Sequence, residues 1–89
     1  MIEEVLEKRQ ATYGGFTRNA ETSQHMKYFM AQGTNYKQMP VVHREALEMI
    51  VHKIARIVNG DPNYIDNWID ICGYSQLVID EIISYEESA

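Results

Sequence analysis

Two acidic clusters at helical spacing are the first candidates for chemistry: Glu45-x-x-Glu48, and the group Asp66, Asn67 and Asp70. Side chains three or four residues apart share one face of a helix. Hard oxygen ligands on facing helices suit Mg²⁺, an ion that in turn binds nucleotide phosphates. Glu45, Glu48, Asp66 and Asp70 are therefore the candidate metal ligands. Two other readings fit the same residues, because the acids lie opposite the apolar face of each helix. They form either a solvated surface or a polar stripe that faces a second subunit and builds a site across that interface.

Lys53 and Arg56 are three residues apart near the end of the same helix as Glu45 and Glu48. Cations there complement the negative helix terminus. They suit salt bridges to Asp66 or Asp70, or phosphate binding. Tyr13 stands beside Gly14-Gly15, where a tyrosine anchors the turn or stacks on a base. Tyr74 has the same two readings, and Trp68 is expected in the core. His43 and His52 are nine residues apart and point to roughly opposite sides of one helix, so no pair has zinc-helix spacing. The single cysteine, Cys72, excludes an intramolecular disulfide and a cysteine-rich zinc site.

Four helices must position these groups. Ile2, Val5 and Leu6 mark a first helix over about residues 2–11, stopped by Gly14-Gly15. A weaker pattern, Ala20, Met26, Phe29 and Met30, marks a second over about 17–32, with Thr17 as its N-cap. A loop over 33–40 closes at Pro40. The third helix, about 41–59, gathers Ala46, Leu47, Ile50, Ile54, Ile57 and Val58 within an arc of about 120°. Asn59-Gly60-Asp61-Pro62 reads as a C-cap, a turn and a restart. The fourth, about 64–86, carries Ile65, Trp68, Ile69, Cys72, Ile79, Ile82 and Ile83 on one face and Asp66, Asn67, Asp70, Tyr74 and Glu81 on the other. Two long amphipathic helices with a short connection are expected to pack antiparallel. No useful length of period-2 alternation argues for a strand. The expected fold is all-α: a single domain over 1–89, a four-helix unit in which the third and fourth helices form a long hairpin.

The chain has 89 residues, a length at which only about 60–65% of the unfolded surface is buried. A homo-oligomer is the natural way to bury more. Hydrophobic residues at 45% and charged residues at 24% argue against disorder. No apolar run approaches the roughly 20 residues of a membrane span. The N-terminus, with Glu3, Glu4 and Glu7, lacks the basic flank and apolar core of a signal peptide. A cytoplasmic protein without membrane contact is expected. The net charge of −5 is unevenly spread. All eight basic residues lie at or before Arg56, whereas residues 61–89 hold seven acids and no base. Duplex DNA is not an expected partner. A phosphorylated small molecule remains compatible with the basic part.

Several segments together resemble a known pattern. The run Glu7-Lys-Arg-Gln-Ala-Thr-Tyr13-Gly14-Gly-Phe16 looks like the N-terminal signature of a family of small phage and prophage proteins. His52-Lys53-Ile54-Ala55-Arg56, then Gly60-Asp61-Pro62, then Asp66-Asn67-Trp68-Ile69-Asp70-Ile71-Cys72-Gly73-Tyr74 looks like its C-terminal signature. That family is similar to the all-α NTP pyrophosphohydrolases of the MazG and dimeric dUTPase type. The resemblance spans about residues 5–82. It implies four-helix units assembled as dimers or tetramers, and Mg²⁺ held by Glu-x-x-Glu on one helix and Glu-x-x-Asp on the next. Glu45 and Glu48 match the first pair and Asp70 the last acid. Asn67 stands where the second pair should begin with an acid, and a neutral amide adds no charge.

Three functions follow. In the first, Glu45, Glu48 and Asp70 are catalytic: they hold Mg²⁺ for nucleoside triphosphate pyrophosphohydrolysis while Lys53 and Arg56 neutralise phosphates. In the second, the protein is a non-catalytic phage anti-defence protein. It sequesters a nucleotide or cyclic nucleotide signal, with Lys53, Arg56, Tyr13, Asn67 and Tyr74 as ligand-binding residues. In the third, the acidic C-terminal third docks on a host defence protein and inhibits it.

Overall fold

The strongest amphipathic pattern becomes the hub of the structure. In the computed structural model, which describes residues 1–88, this helix is α3, Val41–Asn59. Around it lie α1, Ile2–Tyr13, α2, Phe16–Ala31, and α4, Ile65–Ser88. Each of the three packs on α3, α4 along the longest contact and α1 along the shortest. A single 3₁₀ turn, Tyr36–Gln38, sits in the connection that Pro40 closes. No strand occurs among the described residues. The expected all-α class and the pairing of the last two helices are therefore what is observed.

The helix ends follow local chemistry. Gly14, at φ +85°, ends α1, and its amide donates to the Gln10 carbonyl at 2.8 Å. Gly15 is extended and precedes α2, so Thr17 lies inside that helix rather than capping it as expected. Gly60 ends α3, its amide donating to the Arg56 carbonyl at 2.9 Å. Asp61 then accepts the Asn63 amide on its own side chain at 2.9 Å, an Asx turn that redirects the chain into α4.

The two glycine turns meet. The Asp61 amide donates to the Thr12 carbonyl at 2.9 Å. A Cβ on Gly14 would lie 2.5 Å from the Asn59 carbonyl oxygen, and one on Gly60 would lie 2.5 Å from the Tyr13 carbonyl carbon. Only glycine permits this approach. Asn59 locks it: its amide donates to Asn19 at 3.1 Å and Thr22 at 3.0 Å, while Asn19 donates to the Tyr13 carbonyl at 2.7 Å.

The core differs from expectation. Among the described residues its buried apolar members are Ala46, Val51 and Ala55, and the largest fully buried side chain is Asn67. The face that α4 turns toward α3 is its polar one, with Asn67, Asp70, Ile71, Tyr74 and Val78 buried or half-buried. The isoleucine face points outward. Trp68, expected in the core, is 51% exposed, and its indole nitrogen donates to the Pro62 carbonyl at 2.9 Å. The ion pair across the contact favours this orientation: the Lys53 ammonium on α3 meets the Asp70 carboxylate on the inward face of α4 at 3.0 Å.

Candidate functional site

The end of α1 and the last turn of α3 build the most distinctive charge arrangement. The guanidinium of Arg56 lies 4.8 Å from the centre of the Tyr13 ring, and that of Arg9 lies 5.2 Å from the same ring. Arg9 and Tyr13 are four residues apart on α1, so the helix itself stacks them. The Gly14–Gly60 crossing brings Arg56 to the same ring. Tyr64 meets Tyr13 edge-on at 5.5 Å. The Tyr13 hydroxyl, and then Asp66, hold the Tyr64 phenol in its protonated form and push it up from 10.0 to about 12.

Beside this stack α1, α2 and α3 enclose a cleft of about 550 Å³, open to solvent. Arg9, Tyr13, Phe16, Ser23, His52 and Arg56 are among its walls, and no carboxylate is. The volume falls in the range of small-ligand sites. Ser23 is 3% exposed, and its hydroxyl has no hydrogen-bond partner among the described residues. A buried orphan hydroxyl is unusual in a folded protein. His52 is held below its ordinary 6.5 by desolvation first, and then by Lys27, Arg56 and Lys53. Lys27 carries only donors, so its ammonium donates to His52 Nε2 at 3.2 Å and the imidazole is neutral.

The other expected site residues lie elsewhere. Lys53 and Asp70 are spent on each other, with side chains 13% and 45% exposed. Asn67 is sealed in the helix contact at 1% exposure, and Tyr74 is half-buried on the same side of α4. Glu45 and Glu48 line a separate depression of about 260 Å³ with Tyr36 and Arg44. At 1.5 Å per residue, Glu48 lies about 7 Å and Glu45 about 12 Å along the axis from Lys53, away from the turn. Asp66 lies about 6 Å to the other side of Asp70, toward the turn. Magnesium needs its oxygens at about 2.0–2.1 Å. Among the described residues no three His, Cys, Asp or Glu side chains converge as a metal site would require. The four carboxylates of one chain therefore do not fit a shared Mg²⁺.

Sequence reasoning placed Tyr13 and Arg56 among ligand-binding residues but missed Arg9, Phe16, Ser23 and His52 as their neighbours. The i, i+4 spacing of Arg9 and Tyr13 was a legible signal for one of them. Nothing local marks Ser23. Among the described residues no helix is long and apolar enough to cross a membrane.

In comparison with known proteins, a family model described as a domain of unknown function (DUF6378) matches residues 2–81. No curated protein and no solved structure matches the chain. The matched span runs from the start of α1 through most of α4 and contains every element of the cleft, so the chain belongs to the DUF6378 family.

Proposed function

We propose that this protein binds a nucleotide or cyclic nucleotide in the cleft between α1, α2 and α3, as a binder rather than as a metal-dependent hydrolase of the single chain. One observation carries the reading: a cleft of ligand size walled by Arg9, Arg56 and aromatic rings, with no carboxylate among its walls. Arginine forks suit phosphate oxygens, and the Tyr13 and Phe16 rings suit a base. The Ser23 hydroxyl supplies a neutral donor. This keeps Arg56 and Tyr13 in the ligand-binding roles expected from the sequence and replaces Lys53 by Arg9 as the second cation. The hydrolytic reading needs Glu45, Glu48 and Asp70 at one ion, an arrangement that a single chain does not supply.

The test incubates the protein with a pool of nucleotides and cyclic oligonucleotides, with and without Mg²⁺, and identifies both the bound fraction and any products. The expected result is a bound nucleotide recovered unchanged, with or without Mg²⁺. Arg56→Ala is expected to weaken binding about 10–100-fold, the worth of a charge-assisted hydrogen bond of about 1.5–3 kcal/mol. Absence of any bound nucleotide overturns the proposal. Mg²⁺-dependent consumption that is lost in Glu48→Ala restores the hydrolytic reading.

A further inference from the structure

Among the described residues the outer face of α4 has no occupant. Ile65, Ile69, Cys72, Gln76, Ile79 and Ile83 follow one another at spacings of four and three residues, and all six are exposed. Trp68 and Ile82 border them and are exposed as well. Alternating steps of four and three are the seam of a helix that packs against another helix. No charged residue interrupts the seam between Ile65 and Ile83.

The total surface area is large enough to leave room for a partner of protein size. The accessible surface is 6783 Å², whereas a folded monomer of 10.3 kDa exposes about 5,400 Å². The excess exceeds the roughly 800 Å² that each partner contributes to a standard interface. The radius of gyration is 15.5 Å, against about 12 Å for a compact chain of this length. A core of two alanines and a valine is small for a self-sufficient domain.

The seam also says what the occupant is. Ile65 and Ile83 are equidistant from position 74, as are Ile69 and Ile79, and Cys72 and Gln76. An antiparallel copy of the same helix, centred there, sets isoleucine against isoleucine and Cys72 against Gln76. Gly73 adjoins the centre. Glycine in a helix interior is destabilising relative to alanine, and among the described residues nothing lies within 4 Å of a Cβ built on Gly73. Close approach of a second helix gives that glycine a reason.

We propose that a second copy of this chain packs on the outer face of α4, helix against helix and antiparallel, about a two-fold axis level with position 74. Such an interface is self-complementary, as two-fold symmetry requires. Its rims carry Asp66, Asp80 and Glu86 from both copies, all of one sign, so the apolar seam supplies the attraction and added salt tightens the dimer. An interface that set the basic α1–α3 side against acidic α4 would instead loosen with salt.

Sedimentation velocity on the full chain, without ligand, is expected to show a dimer that strengthens between low and moderate salt. Ile69→Glu and Ile79→Glu are each expected to weaken it at least about tenfold, since each buries an unpaired carboxylate in the seam. Where those variants fail to fold, Gln76→Cys keeps the idea open to refutation. Mild oxidation of Q76C is expected to give a covalent dimer through Cys72 of one copy and the new thiol of the other. The unaltered protein stays uncrosslinked, because two antiparallel Cys72 residues are offset by about 6 Å along the axis on top of the helix separation. A helical monomer at all concentrations overturns the proposal. So does Cys72 cross-linking to its own copy in the unaltered protein, or dissociation on adding salt.

Discussion

At the scale of single residues, Lys53 and Asp70 show how an apparent catalytic residue becomes a structural one. Lys53 is largely enclosed, and its 3.0 Å partner is the acid expected to hold metal. Asp70→Asn leaves that ammonium without a counter-charge. It is expected to lower unfolding stability by about 1–2 kcal/mol, between the values for exposed and buried pairs, as measured by denaturant titration. Nucleotide affinity per folded molecule should be nearly unchanged, whereas a metal-holding Asp70 would lose activity without losing stability. His52 gives a pH dependence of defined sign. Its folded pKa lies below 6.5, so the native state binds fewer protons than the unfolded one. The stability linked to His52 is complete above pH 6.5 and is lost as pH falls through the lowered folded value. Thermal melts between pH 7.5 and 5 are expected to show a falling midpoint, and His52→Gln a shallower fall.

At the scale of elements, the glycine crossing decides whether a cleft exists. Gly60 allows the α3–α4 turn to touch the end of α1, and that contact carries Tyr13 to Arg56. An added Cβ would meet Tyr13, Gly14 and Thr12 backbone atoms at 2.5–2.6 Å, none of which can swing aside as a side-chain tip would. Gly60→Ala is expected to cost about 1–3 kcal/mol and to lower the melting midpoint of the folded unit by several degrees. Gly73→Ala meets nothing among the described residues, so an effect on sedimentation would report on the proposed second copy. The sequence already announced these elements: α3 has the expected bounds, and the other helices differ by at most two residues at either end. Periodicity and the Gly and Pro stops are local, and local physics is what a single chain displays openly.

At the scale of the whole molecule, an elongated body of 52 × 26 × 22 Å with most of its isoleucines exposed leaves on α4 the apolar face that the proposed dimer would bury. For a dimer that unfolds to separate chains, the midpoint rises with concentration by mass action. A tenfold increase adds about 1.4 kcal/mol per dimer, which corresponds to roughly 3–5 °C for about 180 residues. A calorimetric midpoint independent of concentration over two decades would mean that the chain folds alone.

Residue order by itself determined the four helices, their ends, the amphipathic face of each long one, and a charge divide that allowed Lys53 or Arg56 to meet Asp66 or Asp70. It did not determine which face of α4 turns inward, because a two-faced helix can bury either face. The choice rests on ion pairing and contact with another helix, or on a second molecule. Tertiary structure shows the outcome: Lys53 meets Asp70 across the contact, Asn67 is inside and Trp68 is outside. It also separated Glu45 and Glu48 from Asp66 and Asp70, a matter of register along two packed helices that spacing within each helix cannot express. The cleft belongs to tertiary structure for the same reason. Arg9, Tyr13, Ser23 and Arg56 come from three helices, and only the close approach of two glycine turns sets Arg56 against the ring of Tyr13.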